Sequence, residues 1–283
     1  VGELRILAPA KVNLILEVLG KREDGYHEVR TLMQQISLFD EIVVSQEGRG
    51  ICIDCDCPGI PVDESNIAWK AADLFLERSG RSEGLKITIR KRIPAAAGLG
   101  GGSSDAASTL MGLNRLLGLN RSKEELIEWG CCLGADVPFF IFGSPALGLG
   151  IGNRLQRVFF GFPVWYVVVS IPLEVSTSWV YGQLNLGLTK PKKYSNIPTV
   201  FGQLEGLFNL LGNDLETVTE GTYPQVSEIK KTLLSKGAKK VLMAGSGPVV
   251  FGLFPDERSA LYTYDQIRSD FGWTLFLVKG ICS

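Results

Sequence analysis

The sequence predicts an α+β fold in two lobes, the second of which carries a ferredoxin-like portion. Three features lead there: apolar runs broken by turn residues at the amino end, amphipathic helices with polar caps in the middle, and alternating helix and strand over the last third. The 283 residues are 45% hydrophobic and 21% charged, enough for two lobes with buried interiors and unlike a disordered chain. No internal repeat interrupts this order.

Residues 4–8 and 12–19 are apolar runs separated by P-A-K and followed by the turn-forming K-R-E-D-G-Y. They read as a strand pair, with Lys11 near its connection. Residues 36–44 and 85–89 are further strands, the latter with Leu85, Ile87 and Ile89 on one face. Residues 66–78 form a helix, because Ile67, Ala71, Leu74 and Arg78 share a side and D-E-S-N supplies caps before them. A second helix runs over about 104–117 on the stripe Ala106, Leu110, Leu113 and Leu117. A third covers 122–134, where Ser122 and Glu125 have capping-box spacing.

After Phe142 the turn-rich G-S-P-A-L-G-L-G-I-G-N marks a lobe boundary, which divides the chain into 1–150 and 151–283. The nearly continuous apolar run 164–170 is a strand buried on both faces. Residues 190–199 are a polar, exposed connection. The final alternation places helices at 226–234 and 257–268 and strands at 241–244, 249–254 and 274–278.

Composition excludes several classes of function. Lys plus Arg is 29 against 30 for Asp plus Glu, a formal charge of -1, so no broad basic field exists for nucleic acid. No apolar stretch is long enough to span a membrane, and V-G-E-L-R-I-L-A-P-A-K lacks the layout of a secretory signal. A cytoplasmic protein is the default expectation, as a monomer or homodimer. Cys52, Cys55, Cys57, Cys131, Cys132 and Cys282 are too sparse for a disulfide scaffold. Strand alternation separates Cys52 from Cys55 and Cys57, and a single histidine excludes a His-rich zinc site, so no protein-held metal is expected.

The sharpest local feature is P-A-A-A-G-L-G-G-G-S-S-D-A-A at 94–107. Gly98, Gly100, Gly101 and Gly102 let the backbone turn tightly or approach a ligand, and Ser103, Ser104 and Asp105 open a helix. Unsatisfied amides at a helix start receive phosphate oxygens, aided by the helix field. The run is neither G-x-x-x-x-G-K-[ST] nor a dinucleotide-binding G-x-G-x-x-G, and the D-F-G at 270–272 lacks its H-R-D companion.

This run resembles the second motif of the GHMP kinases, and L-A-P-A-K-V-N-L at 7–14 and M-A-G-S-G-P-V-V-F at 243–251 match their other two in order and spacing. The resemblance implies a two-lobed GHMP-kinase-like fold, an amino-terminal ATP-binding lobe and a substrate-side carboxy-terminal lobe. D-G-Y-H-E-V at 24–29, G-A-D-V-P-F-F at 134–140 and V-S-T-S-W-V-Y at 175–181 resemble the branch of that superfamily acting on a cytidine-diphosphate-linked methylerythritol. It implies transfer of the terminal phosphate of ATP, with Mg2+, to the 2-hydroxyl of that small molecule.

Residue roles follow from the same matches. Asp136 is the implied general base and Lys11 its electrostatic partner. Gly98, Gly100, Gly101, Gly102, Ser103 and Ser104 hold the nucleotide phosphates, and Gly245, Ser246 and Gly247 bring a third loop against them. Asn66 resembles a residue near adenine, with a helix cap as its other reading. Tyr26 and Tyr181 are implied to sandwich cytosine while His27 reads its polar edge, and Asn13 contacts the same substrate. The competing activities are another kinase of the superfamily, acting on mevalonate, homoserine or a sugar, and a nucleotide-binding protein without turnover. Tyr26 with His27 favours the cytidylyl substrate, and Lys11 with Asp136 favours catalysis.

Overall fold

The computed structural model describes residues 2–184, 197–269 and 272–282. Most of the predicted connection at 190–199, and Asp270 and Phe271 of the D-F-G triplet, lie outside the described residues. The chain forms two compact units, Val1–Ala10 with Leu38–Ala95 and Gly100–Gly143, and Lys11–Ser37 with Ala96–Leu99 and Ser144–Ser283. Two long strands, β1 (Glu3–Lys21) and β2 (His27–Gln46), give residues to both.

The expected strand pair at the amino end is therefore one strand, since P-A-K does not break β1. The Lys11 amide donates to the Leu99 carbonyl at 2.9 Å rather than into a ladder. Amides two residues apart on a strand face the same edge, so Pro9 sits where no ladder bond is lost.

In the first unit β2 pairs antiparallel with β4 (Leu85–Arg90), from Glu41 opposite Arg90 to Gln46 opposite Leu85, and β3 (Ile51–Cys55) lies parallel to β4. Helix α1 (Ile67–Ser79) starts at Asn66, whose Oδ1 accepts the Ala68 amide, and stops at the left-handed Gly80. Helix α2 (Gly101–Leu116) begins earlier than the apolar stripe indicates. Helix α3 (Lys123–Cys131) carries the predicted capping box of Ser122 and Glu125, and α4 (Val137–Phe142), absent from the sequence reading, ends at the left-handed Gly143.

Small residues let these layers pack closely. Ala71, Ala72 and Phe75 of α1 and Ala106, Ala107, Leu110 and Leu113 of α2 are buried, each of the larger ones contributing about 1.5–3 kcal/mol. A β-carbon on Gly112 would press on the tip of Ile6 and stand 3.1 Å from Val44 Cγ2, so glycine there lets α2 lie close on the strands without moving either side chain.

The second unit continues with β5 (Ala146–Leu149), β6 (Arg154–Arg157), β7 (Phe159–Phe160), β8 (Trp165–Ser170), α5 (Thr177–Gln183), β9 (Val200–Phe201), α6 (Leu204–Phe208) and β10 (Gly212–Asn213). It closes with α7 (Glu216–Thr222), α8 (Pro224–Ser235), β11 (Lys240–Met243), β12 (Val250–Phe254), α9 (Glu257–Ile267) and β13 (Thr274–Lys279). β1 pairs parallel with β10 at Ile15 and Leu16, β2 pairs antiparallel with β5 at residues 31–33, and β5 continues to β6. A short parallel pair joins β7 to β9.

The last sheet has the order β11-β12-β8-β13, antiparallel throughout. With α8 and α9 as the crossing helices, this is the ferredoxin-like arrangement predicted from the alternation. Val226, Ile229 and Leu233 of α8 and Ala260 and Ile267 of α9 pack in one cluster with Val167, Val169, Val250 and Phe254. No helix of the described residues is long and apolar enough to cross a membrane.

Candidate active site

The glycine-rich run turns into α2 through Gly100, whose φ of 73° is left-handed and leaves the helix without a side-chain cap. The first hydrogen bond of the helix runs from the Ser104 amide to the Gly100 carbonyl at 2.9 Å. The amides of Gly101, Gly102 and Ser103 therefore precede the intrahelical ladder and form an anion-receptive end. The Ser104 hydroxyl is buried with no hydrogen-bond partner. Leaving such a group unmade costs about 1–3 kcal/mol, and a phosphate oxygen is an acceptor that fits this donor. The residues present thus suit a nucleotide phosphate.

Beneath this turn lies a buried charge cluster. Lys91 Nζ donates to Asp40 Oδ2 at 2.5 Å and to Asp105 Oδ2 at 2.8 Å. Asp40, fully buried, also accepts the amides of Arg92 at 2.6 Å and Ile93 at 2.8 Å. A β-carbon on Gly101 would stand 3.2 Å from Lys91 Nζ, so the ammonium sits directly against the first turn of α2. Burial pushes the Asp105 carboxyl up to about 7, Lys91 opposing and Asp40 reinforcing that rise.

Asp136 stands at the residue before α4, but its carboxylate makes no capping bond to that helix. The side chain of Ile67 gathers three parts of this unit. It lies 3.5 Å from the position of a β-carbon on Gly102 and 3.7 Å from one on Gly134, two residues before Asp136. Asn66, next to Ile67, uses its Oδ1 to cap α1 and its Nδ2 to donate to the Pro61 carbonyl at 2.6 Å. Phosphate turn, helix cap and Asp136 loop are thus neighbours through one isoleucine.

The second unit collects the remaining residues singled out from sequence. Lys11, 4% exposed, donates from Nζ to Asn13 Oδ1 at 2.7 Å, and Asn13 Nδ2 donates to Thr31 Oγ1 at 2.8 Å. Thr31 Oγ1 in turn donates to the Ile15 carbonyl at 2.9 Å, which fixes the chain's polarity from end to end. Gly98, left-handed at φ 74°, touches the third loop so closely that a β-carbon would overlap the Ala244 carbonyl. Gly245 completes the approach, since a β-carbon there would be 3.3 Å from Gly98 Cα and 3.7 Å from Asn13 Oδ1. Ser246 Oγ and Thr177 Oγ1 are hydrogen-bonded at 2.8 Å.

Tyr26 is exposed beside the turn that follows β1, where the Arg22 amide donates to its carbonyl at 2.8 Å. His27 opens β2 and meets Tyr181 of α5, with ring centroids 4.9 Å apart and a tilt of 32°. Burial, and then the charge of Lys21, hold the imidazole below its usual range. Neutral at pH 7, it offers one donor and one acceptor to a ligand's polar edge.

Comparison with known proteins places these features in a family. Residues 66–144 match the GHMP kinases N terminal domain and residues 197–271 match GHMP kinases C terminal. A 4-diphosphocytidyl-2-C-methyl-D-erythritol kinase of Syntrophotalea carbinolica is 50% identical over 276 residues, covering 97% of this chain and 98% of its own. One from Geobacter sp. (strain M21) is 50% identical over 280 residues, covering 99% of both. The chain is a GHMP kinase of the 4-diphosphocytidyl-2-C-methyl-D-erythritol kinase family.

A crystal structure of a 4-(cytidine 5'-diphospho)-2C-methyl-D-erythritol kinase superposes with a TM-score of 0.83 at 36% identity, covering 98% of this chain and 100% of that one. A homoserine kinase from Cytophaga hutchinsonii, at 18% identity and a TM-score of 0.74 over 99% of this chain and 95% of its own, shares the fold. As a GHMP kinase the chain is an ATP-dependent small-molecule kinase. The two glycine-bearing motifs, at 94–107 and 243–251, fall within the segments matched to the family.

Several residues in the supporting structure have no counterpart in the sequence reading. Lys91 and Asp40 carry the charge cluster under α2, and Asn213, Glu216, Thr219 and Thr177 surround the third loop. The run N-D-L-E at 213–216 is the one local signal, three polar residues around a leucine in a stretch where the sequence predicts no element.

Proposed function

We propose that the protein transfers the terminal phosphate of ATP to the 2-hydroxyl of 4-diphosphocytidyl-2-C-methyl-D-erythritol. The observation that carries this choice of substrate is the His27–Tyr181 ring contact, an aromatic surface with a neutral imidazole beside it. A flat base such as cytosine suits it, whereas mevalonate and homoserine present no ring to stack. The names of the relatives at 50% identity favour the same substrate.

In this reading the amides of Gly100, Gly101, Gly102 and Ser103, with the Ser104 hydroxyl, hold the β- and γ-phosphates at the start of α2. Gly98, Gly245, Ser246 and Gly247 bring a second stretch of backbone to the nucleotide, and Asn66 borders adenine while its Oδ1 keeps α1 capped. Asp136 orients the substrate hydroxyl and accepts its proton as the oxygen bonds to the γ-phosphorus and ADP leaves. Lys11, oriented by Asn13, offsets negative charge on the transferring phosphoryl group. Mg2+ bound with the nucleotide would supply further neutralisation of the phosphate charge. Tyr26 and Tyr181 cover the faces of cytosine, His27 reads its edge, and Asn13 contacts the substrate.

The functional division assigns ATP binding to residues 1–150 and the substrate side to 151–283, with Asn13, Tyr26 and His27 contributed to substrate from the first range. The enzyme is expected to work in the cytoplasm, as a monomer or homodimer. A panel of alcohols with ATP tests the reading: the cytidylyl compound should be phosphorylated far faster than mevalonate, homoserine or a sugar. Preference for any of those three would remove the substrate assignment.

A further inference from the structure

We infer that Asn213, Glu216 and Thr219 are positioning residues that clamp the glycine-bearing loop at 245–247 so that the Ser246 amide faces the nucleotide. This rests on the reading above, in which residues 245–247 border the phosphates.

The clamp is visible bond by bond. Asn213 Nδ2 donates both its hydrogens, to the Met243 carbonyl at 3.0 Å and the Gly245 carbonyl at 2.7 Å, while its Oδ1 accepts the Leu215 amide at 3.0 Å. Two donor hydrogens and a carbonyl oxygen are thereby all engaged, in a residue 7% exposed. At the first residue of α7, Glu216 Oε1 accepts the Met243 amide at 2.6 Å, and its Oε2 is held by Lys230 Nζ at 2.7 Å. Thr219, on the same side of α7 three residues later and fully buried, donates to the Ser246 carbonyl at 3.1 Å.

Peptide planarity turns these bonds into a direction. In a trans peptide the carbonyl and the following amide point opposite ways, so fixing the Gly245 carbonyl toward Asn213 turns the Ser246 N–H away from it. Gly245 and Gly247 have φ of 54° and 90°, and glycine visits many other conformations as readily, so the loop's own chain does not select this one. Four side-chain bonds from one short segment do. The same segment is tied to β1: Asn213 pairs with Leu16, the Asp214 amide donates to the Leu16 carbonyl at 2.8 Å, and Asp214 Oδ2 accepts the Val18 amide at 2.8 Å. β1 also carries Lys11 and Asn13, so the clamp registers the loop against the strand that presents them.

The test compares Asn213→Ala, Thr219→Val and Glu216→Ala with Gly245→Ala. Affinity is measured by equilibrium titration with a non-hydrolysable ATP analogue, and KM and kcat are taken for both substrates. Thr219→Val keeps shape and volume and so guards against a mere failure to fold, with melting curves run alongside. We expect Asn213→Ala to weaken nucleotide affinity about tenfold and Thr219→Val about threefold, in line with loss of buried hydrogen bonds. KM for the cytidylyl substrate should stay within about twofold. Glu216→Gln, which keeps the acceptor for Met243, should restore most of what Glu216→Ala loses. If Gly245→Ala weakens the nucleotide but folded Asn213→Ala and Thr219→Val do not, the clamp is overturned and the loop's placement stands. If none of the four changes nucleotide affinity, the loop does not border the phosphates, and the clamp falls with that reading. Equal loss of affinity for both substrates would mark the segment as general scaffold and also overturn the inference.

Discussion

His27 and Tyr181 meet at 4.9 Å between ring centroids, which brings the start of β2 and the helix α5 onto one surface within the second unit. Substrate recognition in this account depends on that contact. Tyr181→Ala is expected to raise KM for the cytidylyl substrate about tenfold or more, as loss of stacking on one base costs about 1–3 kcal/mol. KM for ATP should stay unchanged, and Tyr181→Phe should retain most of the affinity. Steady-state kinetics with each substrate varied in turn check this.

The same imidazole gives a pH dependence. Burial lowers its proton affinity, so His27 is neutral at pH 7 and takes up a proton only as the pH falls below the usual imidazole range. Protonation removes its acceptor, so KM for the cytidylyl substrate should be flat above neutrality and rise on acidification. In His27→Gln, which does not titrate, that rise should disappear from the KM profile.

Asp136 is assigned to the chemical step. Asp136→Asn should bind an ATP analogue as tightly as the parent while kcat falls by about two to four orders of magnitude. Normal turnover in this variant would remove the assignment of Asp136 as base.

Lys91, Asp40 and Asp105 make a stability prediction. Lys91→Met leaves two buried carboxylates without their cation and should cost about 3–5 kcal/mol in denaturant unfolding. Asp105 is raised from 3.8 to about 7 in the folded protein, by burial first and with the charge of Asp40 adding to it against Lys91. Between those pH values the native state binds more protons than the unfolded chain, so this group lowers stability as pH rises from about 4 to 7. Asp105→Asn should flatten that decline relative to the parent protein, an effect separable from Asp214 and Glu216, whose carboxyls burial also raises.

Gly98 has no room for a side chain. Alanine there would be left-handed and would overlap the Ala244 carbonyl, costing at least about 1 kcal/mol in backbone conformation before the collision is counted. Gly98→Ala should lower the melting temperature and weaken ATP binding together. Wild-type values for both would contradict the close packing of these two loops.

Much of this was legible in the sequence, for local reasons. The apolar period located α1, the capping box located α3, and the alternation of the last third gave the ferredoxin-like sheet. Where local cues misled, identifiable forces prevailed. P-A-K suggests a break, yet β1 passes through it because its amides on that side need no ladder partner. Gly101 and Gly102 are poor helix formers, yet they open α2, where a β-carbon on Gly101 would press to 3.2 Å on Lys91 Nζ and Ile93 Cγ2. The motifs named the residues proposed for the site, but not its supports. Asn213 meets Met243 and Gly245, and Lys91 meets Asp40, across long stretches of chain, and no local pattern encodes such pairs. The meeting of His27 with Tyr181 is of the same kind.

The most direct test of the central claim is to identify the product. Purified protein given ATP and 4-diphosphocytidyl-2-C-methyl-D-erythritol should yield ADP and a phosphomonoester whose new phosphorus couples, in NMR, to the carbon bearing the 2-oxygen. A phosphate on any other oxygen, or no transfer to this alcohol while mevalonate or homoserine is phosphorylated, would contradict the account.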